Sequence, residues 1–291
     1  VPVGGWRAPS WYTFRPINHV RGWRRWPNPG SPRTARSANV RDGNLPSPEE
    51  QRSVRIIIAG PPKAGNVWLK CILGTIYGLR PLGLKETPAR PYPDLFKEWA
   101  AAGGFADGSI FHQHYDYEPA LCDAIEALPA HAVTIIRDPY DTFVSSYHTI
   151  QQYDGEEGRK GRRAQITGKP LDSAEVYDYL RDGGFRNNMR RAQAWVQSGR
   201  THVVRYEQLH ADPIAEITRV TDAIGPVPAD RIEAALDFCS AENMRKRDNA
   251  RKPHVRSAKV GDSKQSLTEQ HLSLFRELHG DLIRSLGYEV R

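Results

Sequence analysis

Sulfur is scarce in this chain, with three cysteines and two methionines in 291 residues. Cys71, Cys122 and Cys239 lie far apart, are odd in number and lack metal-ligand spacing. Neither a disulfide framework nor a zinc site is expected, and the usage fits a reducing compartment, hence the cytoplasm. No apolar run approaches the ~18 residues that cross a bilayer, so no membrane span is expected. A charged-then-apolar leader is also lacking. Arg24-Arg25 is not followed by an apolar segment, which argues against a twin-arginine export signal. No internal repeat is present.

Residues 1–41 contain no lysine, aspartate or glutamate, yet carry eight arginines. Subtracting +8 from the net +7 leaves about −1 for residues 42–291. The basicity belongs to the first segment, and no nucleic-acid partner is expected for the folded part. Residues 1–50 also hold four of the seven tryptophans, many Pro and Gly, and no sustained period. They read as a disordered basic extension ahead of a domain at 51–291, or as an arm packing its aromatics on the domain or a partner.

What is present is a core-forming 39% of hydrophobic residues and an alternation of strands and helices. Val54 to Ala59 is a β-branched block of the buried-strand type. Further strands are expected at 109–112, 132–137 and 200–205. Helices are expected at 67–77, 140–151, 213–224, 229–238 and 267–286. Strands separated by helices imply crossovers and a parallel sheet, an α/β fold with helices on both faces. Residues 153–170, polar and rich in Gly, Arg and Lys, read as a loop or lid.

Between the first strand and its helix lies Gly60-Pro61-Pro62-Lys63-Ala64-Gly65-Asn66-Val67-Trp68. Backbone N–H groups in such a turn, with a helix N-terminus behind them, form an anion site. The Gly60–Gly65 spacing matches a Walker A loop, but Asn66-Val67 replaces the Lys-Ser/Thr pair. Without that hydroxyl a Mg²⁺-dependent ATPase or kinase is weakened. A plain strand-to-helix turn with a solvated lysine is the bland alternative.

The run Pro62 to Trp68 resembles the P-K-S/A-G-T/N-T-W loop of sulfotransferases that use 3′-phosphoadenosine 5′-phosphosulfate (PAPS). The resemblance implies that Pro62, Lys63, Ala64, Gly65, Asn66 and Val67 grip the 5′-phosphosulfate and that Trp68 lies beside the adenine. Val67 departs from the usual threonine and removes a hydroxyl donor. Arg137-Asp138-Pro139-Tyr140-Asp141-Thr142-Phe143-Val144-Ser145 resembles the family's R-[ND]-P-x-D-x-x-V-S block, which implies that Arg137 and Ser145 hold the 3′-phosphate. A structural pair with Asp141 is the alternative for Arg137. Arg256-Ser257-Ala258-Lys259-Val260-Gly261-Asp262-Ser263-Lys264 is similar, in part, to R-K-G-x-x-G-D-W-K. Arg256, with the N–H groups of Ser257 and Ala258, is the candidate there, and Arg251 or Lys252 are substitutes. Arg205-Tyr206-Glu207-Gln208-Leu209 resembles R/F-Y-E-D-L, which makes Tyr206 an adenine contact and Glu207 structural.

The family's K-T-H triplet after the second strand aligns with His112-Gln113-His114. That puts His114 on the catalytic base and His112 on the lysine; Asp116 and Glu118 are reserve bases. Two histidines at i and i+2 also suit a metal pair, but no third ligand is evident and no metal is expected to be required. The resemblance spans residues 55–288 and implies a P-loop-like fold, PAPS as cofactor and a small-molecule hydroxyl acceptor. A nucleotide kinase or other phosphotransferase, and a non-catalytic nucleotide-binding relative, are the rivals. Tyr92, Phe96, Trp99, Tyr153, Tyr177 and Tyr179 suit a partly apolar acceptor, or ordinary packing. Arg, Ala and Trp usage points to a bacterial specialised-metabolite enzyme. Monomer and homodimer are both left open.

Overall fold

The computed structural model describes residues 54–90, 92–152, 164–181, 184–247 and 259–291. The extension read at 1–50 lies outside the described residues.

Ile56, Ile57 and Ile58 of strand β1 (Arg55–Ala59) are wholly buried, because helices cover both faces. Each such side chain contributes about 1.5–3 kcal/mol through burial. Four more strands join it: β2 (Arg80–Pro81), β3 (Ser109–Gln113), β4 (Ala130–Ile136) and β5 (His202–Arg205). All pair in parallel, in the order β2-β3-β1-β4-β5, which makes β1 the central strand. The expected parallel α/β sheet is the observed one. β2 was not foreseen, being two residues at the sheet edge, where its proline loses no ladder bond.

Five helices match their expected positions. They are α1 (Asn66–Tyr77), α4 (Pro139–Gln151), α8 (Pro213–Ile224), α9 (Ala229–Phe238) and α12 (Glu269–Ser285). α1 stops at Gly78, which sits in the left-handed region at φ 64° and returns its N–H to the helix's last carbonyls. α4 begins on an Asp138 N-cap that accepts the Tyr140 and Asp141 N–H groups, with Pro139 at the first helical position. The remaining helices were not anticipated: α2 (Pro93–Ala101), α3 (Pro119–Glu126), α5 (Ala174–Arg181), α6 (Gly184–Gln197), α7 (Tyr206–Ala211), α10 (Ala241–Arg247) and α11 (Ser263–Ser266). No helix among the described residues is long and apolar enough to cross a membrane.

One expectation is overturned. Cys71 of α1 and Cys239, which caps α9, form a disulfide across a separation of 168 residues, with Cα atoms 5.9 Å apart. Both sulfurs lie in the core cluster where α1 and α9 meet. Sequence spacing says nothing about two helices that pack side by side. Cys122 remains a free thiol, and burial pushes its pKa up to about 11, which makes it inert. Closing so long a loop constrains the unfolded chain. The pair Cys71→Ala/Cys239→Ala is therefore expected to lower unfolding stability by about 2–5 kcal/mol, read from urea midpoints. Midpoints indifferent to both the substitutions and a reductant would show that the sulfurs are unbonded.

Candidate active site

Four strand ends converge on one edge of the sheet, and each delivers a residue singled out from the sequence. β1 runs out into the Gly60–Gly65 turn, β3 into His114, β4 into Arg137 and β5 into Tyr206. The carboxyl ends of parallel strands are where open α/β sheets bind ligands. The strand order sets the lateral order: His114, then the turn, then Arg137, then Tyr206. Neighbouring strands lie about 4.8 Å apart, so the histidine and Arg137 flank the turn from its two sides.

The turn is held open as an anion cradle. Thr134 of β4, wholly buried, donates its hydroxyl to the Ala59 carbonyl at 2.8 Å and fixes the chain just before the turn. The Asn66 amide reaches back to the Pro61 carbonyl at 2.8 Å. Lys63 lies at φ 67°, the one non-glycine residue with positive φ among the described residues. Gly65, the N-cap of α1, has φ 111°, and a Cβ there would sit 2.9 Å from Tyr206 Cδ2. Both facts demand glycine. No acidic residue stands in the first turn of α1, so its positive end stays available to an anion. Val67 forfeits a hydroxyl, but its backbone N–H is among the donors at that helix end.

Arg137, Tyr206 and Trp68 form one assembly. The Arg137 guanidinium lies 4.3 Å from the Tyr206 ring centre, and Trp68 meets Tyr206 edge-on at 5.7 Å. Burial raises the Tyr206 phenol above its ordinary pKa, with Arg137 partly offsetting the rise. His210, at i+4 from Tyr206 on α7, completes the aromatic group at 6.1 Å from Tyr206 and 6.4 Å from Trp68. The sequence reading missed it, although the i, i+4 spacing was there to be used. Glu207 is committed elsewhere: it accepts the Asp138 N–H at 2.8 Å and the Tyr288 hydroxyl at 2.9 Å. Ser145 is half-buried on α4, two turns beyond Arg137. Arg256, Ser257 and Ala258 lie outside the described residues, as do the substitutes Arg251 and Lys252.

His112 is within β3 and half-buried, whereas His114 is exposed just past the strand end. Their ring centres are 6.0 Å apart. His114 Nδ1 lies 3.1 Å from the Gly60 carbonyl oxygen. A carbonyl only accepts, so Nδ1 carries the proton and the lone pair of the neutral ring falls on Nε2. Among the described residues no three His, Cys, Asp or Glu side chains gather as a metal site.

The segment after β2 is tied onto the residues flanking His114. Gln113 donates to the Thr87 hydroxyl at 2.7 Å and Tyr115 to the Pro88 carbonyl at 2.5 Å. Of the aromatics proposed for an acceptor pocket, Phe96 and Trp99 pack with Phe105 and Phe111 instead, and Tyr177 and Tyr179 are buried in a second cluster. Tyr92 is exposed, as are Leu84 and Leu95. Tyr153 lies outside the described residues. A cavity of about 240 Å³, lined by His131, His202 and Arg200, lies at the opposite end of the strands and contains none of the predicted residues.

PAPS, the cofactor implied by the sequence, suits these groups. Among the described residues Arg137 Nε is buried with no hydrogen-bond partner, and an unsatisfied buried donor costs about 1–3 kcal/mol. An anion bringing several acceptor oxygens removes that cost.

Comparison with known proteins agrees with this geometry. A sulfotransferase domain family model matches residues 108–287, more than half of the chain. The chain belongs to the sulfotransferase domain family. The matched span begins after the Gly60–Gly65 turn, so the turn is independent support for the same family. Cytosolic sulfotransferase 14 of Arabidopsis thaliana is 23% identical over 228 residues, which cover 66% of this chain and 61% of that protein. Among solved structures, mouse sulfotransferase SULT7A1 complexed with PAP matches with a TM-score of 0.60 at 17% identity, over 80% of this chain and 85% of that one. Retinol dehydratase in complex with retinol and PAP matches with a TM-score of 0.54 at 13% identity, over 82% of this chain and 83% of that one. These likenesses establish the sulfotransferase fold.

Proposed function

We propose that this member of the sulfotransferase family moves a sulfuryl group from PAPS to the hydroxyl of a small molecule by in-line displacement. The observation that carries this reading is the lateral order of the strand ends. It sets a histidine with its lone pair on Nε2 on one side of the turn, and on the other an arginine whose Nε–H has no acceptor among the described residues.

When bound, PAPS supplies the sulfuryl group and a bisphosphate leaving group. The chain's residues do the rest. Backbone N–H groups of residues 64–68 and the Lys63 ammonium stabilise negative charge at the turn. Arg137 and Ser145 serve the 3′-phosphate, joined by Arg256 and the N–H groups of Ser257 and Ala258. Trp68, Tyr206 and His210 flank the adenine. His114 Nε2 takes the acceptor's proton, and His112 stands beside it. Exposed Leu84, Tyr92 and Leu95, on the segment tied to β3, support an acceptor with an apolar body. A cytoplasmic setting follows the plant relative's printed name. The Cys71–Cys239 bond is compatible with it, since both sulfurs are buried from thiol exchange.

The test is transfer of labelled sulfate from PAPS to a panel of phenols and aliphatic alcohols, with and without EDTA. Transfer undiminished by EDTA is expected. Phosphoryl transfer that needs ATP and Mg²⁺ would replace this reading with a kinase, and PAP binding without transfer to any acceptor would leave a nucleotide-binding relative.

A further inference from the structure

The Arg137–Ser145 block holds a buried acid whose partners lie far along the chain. Asp141, in the first turn of α4, is 1% exposed. Its two carboxylate oxygens accept the Gly261 N–H at 2.7 Å and the Ser263 N–H at 2.9 Å. Arg137 Nη2 stands 3.6 Å from the same carboxylate. Charge-assisted contacts of real strength fall near 2.7–2.9 Å, so the amides are the primary partners and the arginine is the secondary one. Arg137 Nη2 instead donates to the Lys259 carbonyl at 2.8 Å. Ser263 is gripped from its other side too. Its hydroxyl accepts from Arg291, whose guanidinium also holds the Asp138 carboxylate at 2.8 and 3.0 Å.

Residues 259–263 are thereby fastened to the start of α4 by one carboxylate, and to Arg137 by one carbonyl. A buried carboxylate is expensive unless it is hydrogen-bonded, and here each oxygen accepts one backbone N–H. The carboxylate's hydrogen bonds go to amides while its charge stands 3.6 Å from Arg137, and Arg137 Nε has no hydrogen-bond partner among the described residues.

We propose that Asp141 is a positioning residue for the cofactor site. It clamps the 259–263 segment onto α4 and, through the Lys259 carbonyl of that segment, sets the Arg137 guanidinium. This inference rests on the PAPS reading above. Nothing in it requires Asp141 to touch the cofactor. By the reciprocity of linkage, a clamp that prepares the cofactor site must itself be tightened when that site fills.

The experiment uses the full chain and 3′,5′-adenosine bisphosphate as probe, with wild type and Asp141→Asn measured by calorimetry, by steady-state kinetics with PAPS, and by amide exchange. The substitution is expected to weaken bisphosphate binding about 10-fold or more, raise KM for PAPS similarly and leave kcat within about 3-fold. Exchange at the Gly261 and Ser263 amides should become fast. Unchanged bisphosphate affinity in a folded Asp141→Asn protein overturns the proposal, even if its melting point falls. Should that variant not fold, wild type carries the test alone: the bisphosphate must slow exchange at Gly261 and Ser263, and no change there also overturns it. A wild type that does not bind the bisphosphate would instead sink the PAPS reading, and this inference with it.

Discussion

Replacing Lys63 by alanine is expected to slow sulfuryl transfer by about 10²-fold or more, because it removes the charge placed at the developing anion. Replacing it by glycine is expected to slow transfer as much, yet leave stability unchanged or up to about 1.5 kcal/mol higher. The second expectation follows from the backbone. At φ 67°, Lys63 is held in the left-handed region, which disfavours an L-residue by about 1–2 kcal/mol. Glycine relieves that strain but loses about 0.5–1 kcal/mol more in chain entropy, so the difference is small and of positive sign. Alanine keeps the strain and gains nothing. A strained non-glycine residue in a turn of this kind supports a functional role for its side chain. Initial rates with PAPS and urea midpoints for the three proteins separate the two effects. Near wild-type turnover in Lys63→Gly would show that the ammonium takes no part in the chemistry. A glycine variant less stable than the alanine variant would show that the turn is not strained at this residue.

The parts legible in the sequence were those where local composition and burial agree. β1 reads as a central strand because Ile56, Ile57 and Ile58 are all apolar, and a strand covered on both faces needs no alternation. α4 reads as a helix because Asp138 and Pro139 mark its start. α6 escaped notice although Phe185, Met189, Ala192 and Trp195 fall on one buried face, since its glycine start and five arginine or asparagine neighbours mask the period. β2 carries no pattern at all in two residues. Contacts between distant segments were the least legible. The partners of Asp141 lie 120 and 122 residues away, and the sequence offered only Arg137, four residues before it, as a mate. The Cys71–Cys239 bond is the same case: the helices had to pack before the sulfurs could meet. His114 was read from a motif, but its tautomer could come only from the Gly60 carbonyl beside it.

That tautomer leads to a kinetic distinction. His114→Ala is expected to lower kcat by about 10²-fold or more with bisphosphate affinity little changed, as for loss of a general base. His112→Ala, inside β3 and half-buried, is expected to cost less than about 10-fold. A fall in rate alone would not separate a base from a ring that merely steadies the turn through Gly60. The acceptor separates them. A phenol, near pKa ~10, ionises far more readily than an aliphatic alcohol and leans less on a base in the transition state. The His114→Ala deficit should therefore be at least about 10-fold larger with an aliphatic acceptor than with a phenol of similar size. Turn geometry is common to both acceptors, so a positional defect would depress the two rates equally. Equal losses would assign His114 to holding Gly60 and move the proton to another group, with His112 the next to test.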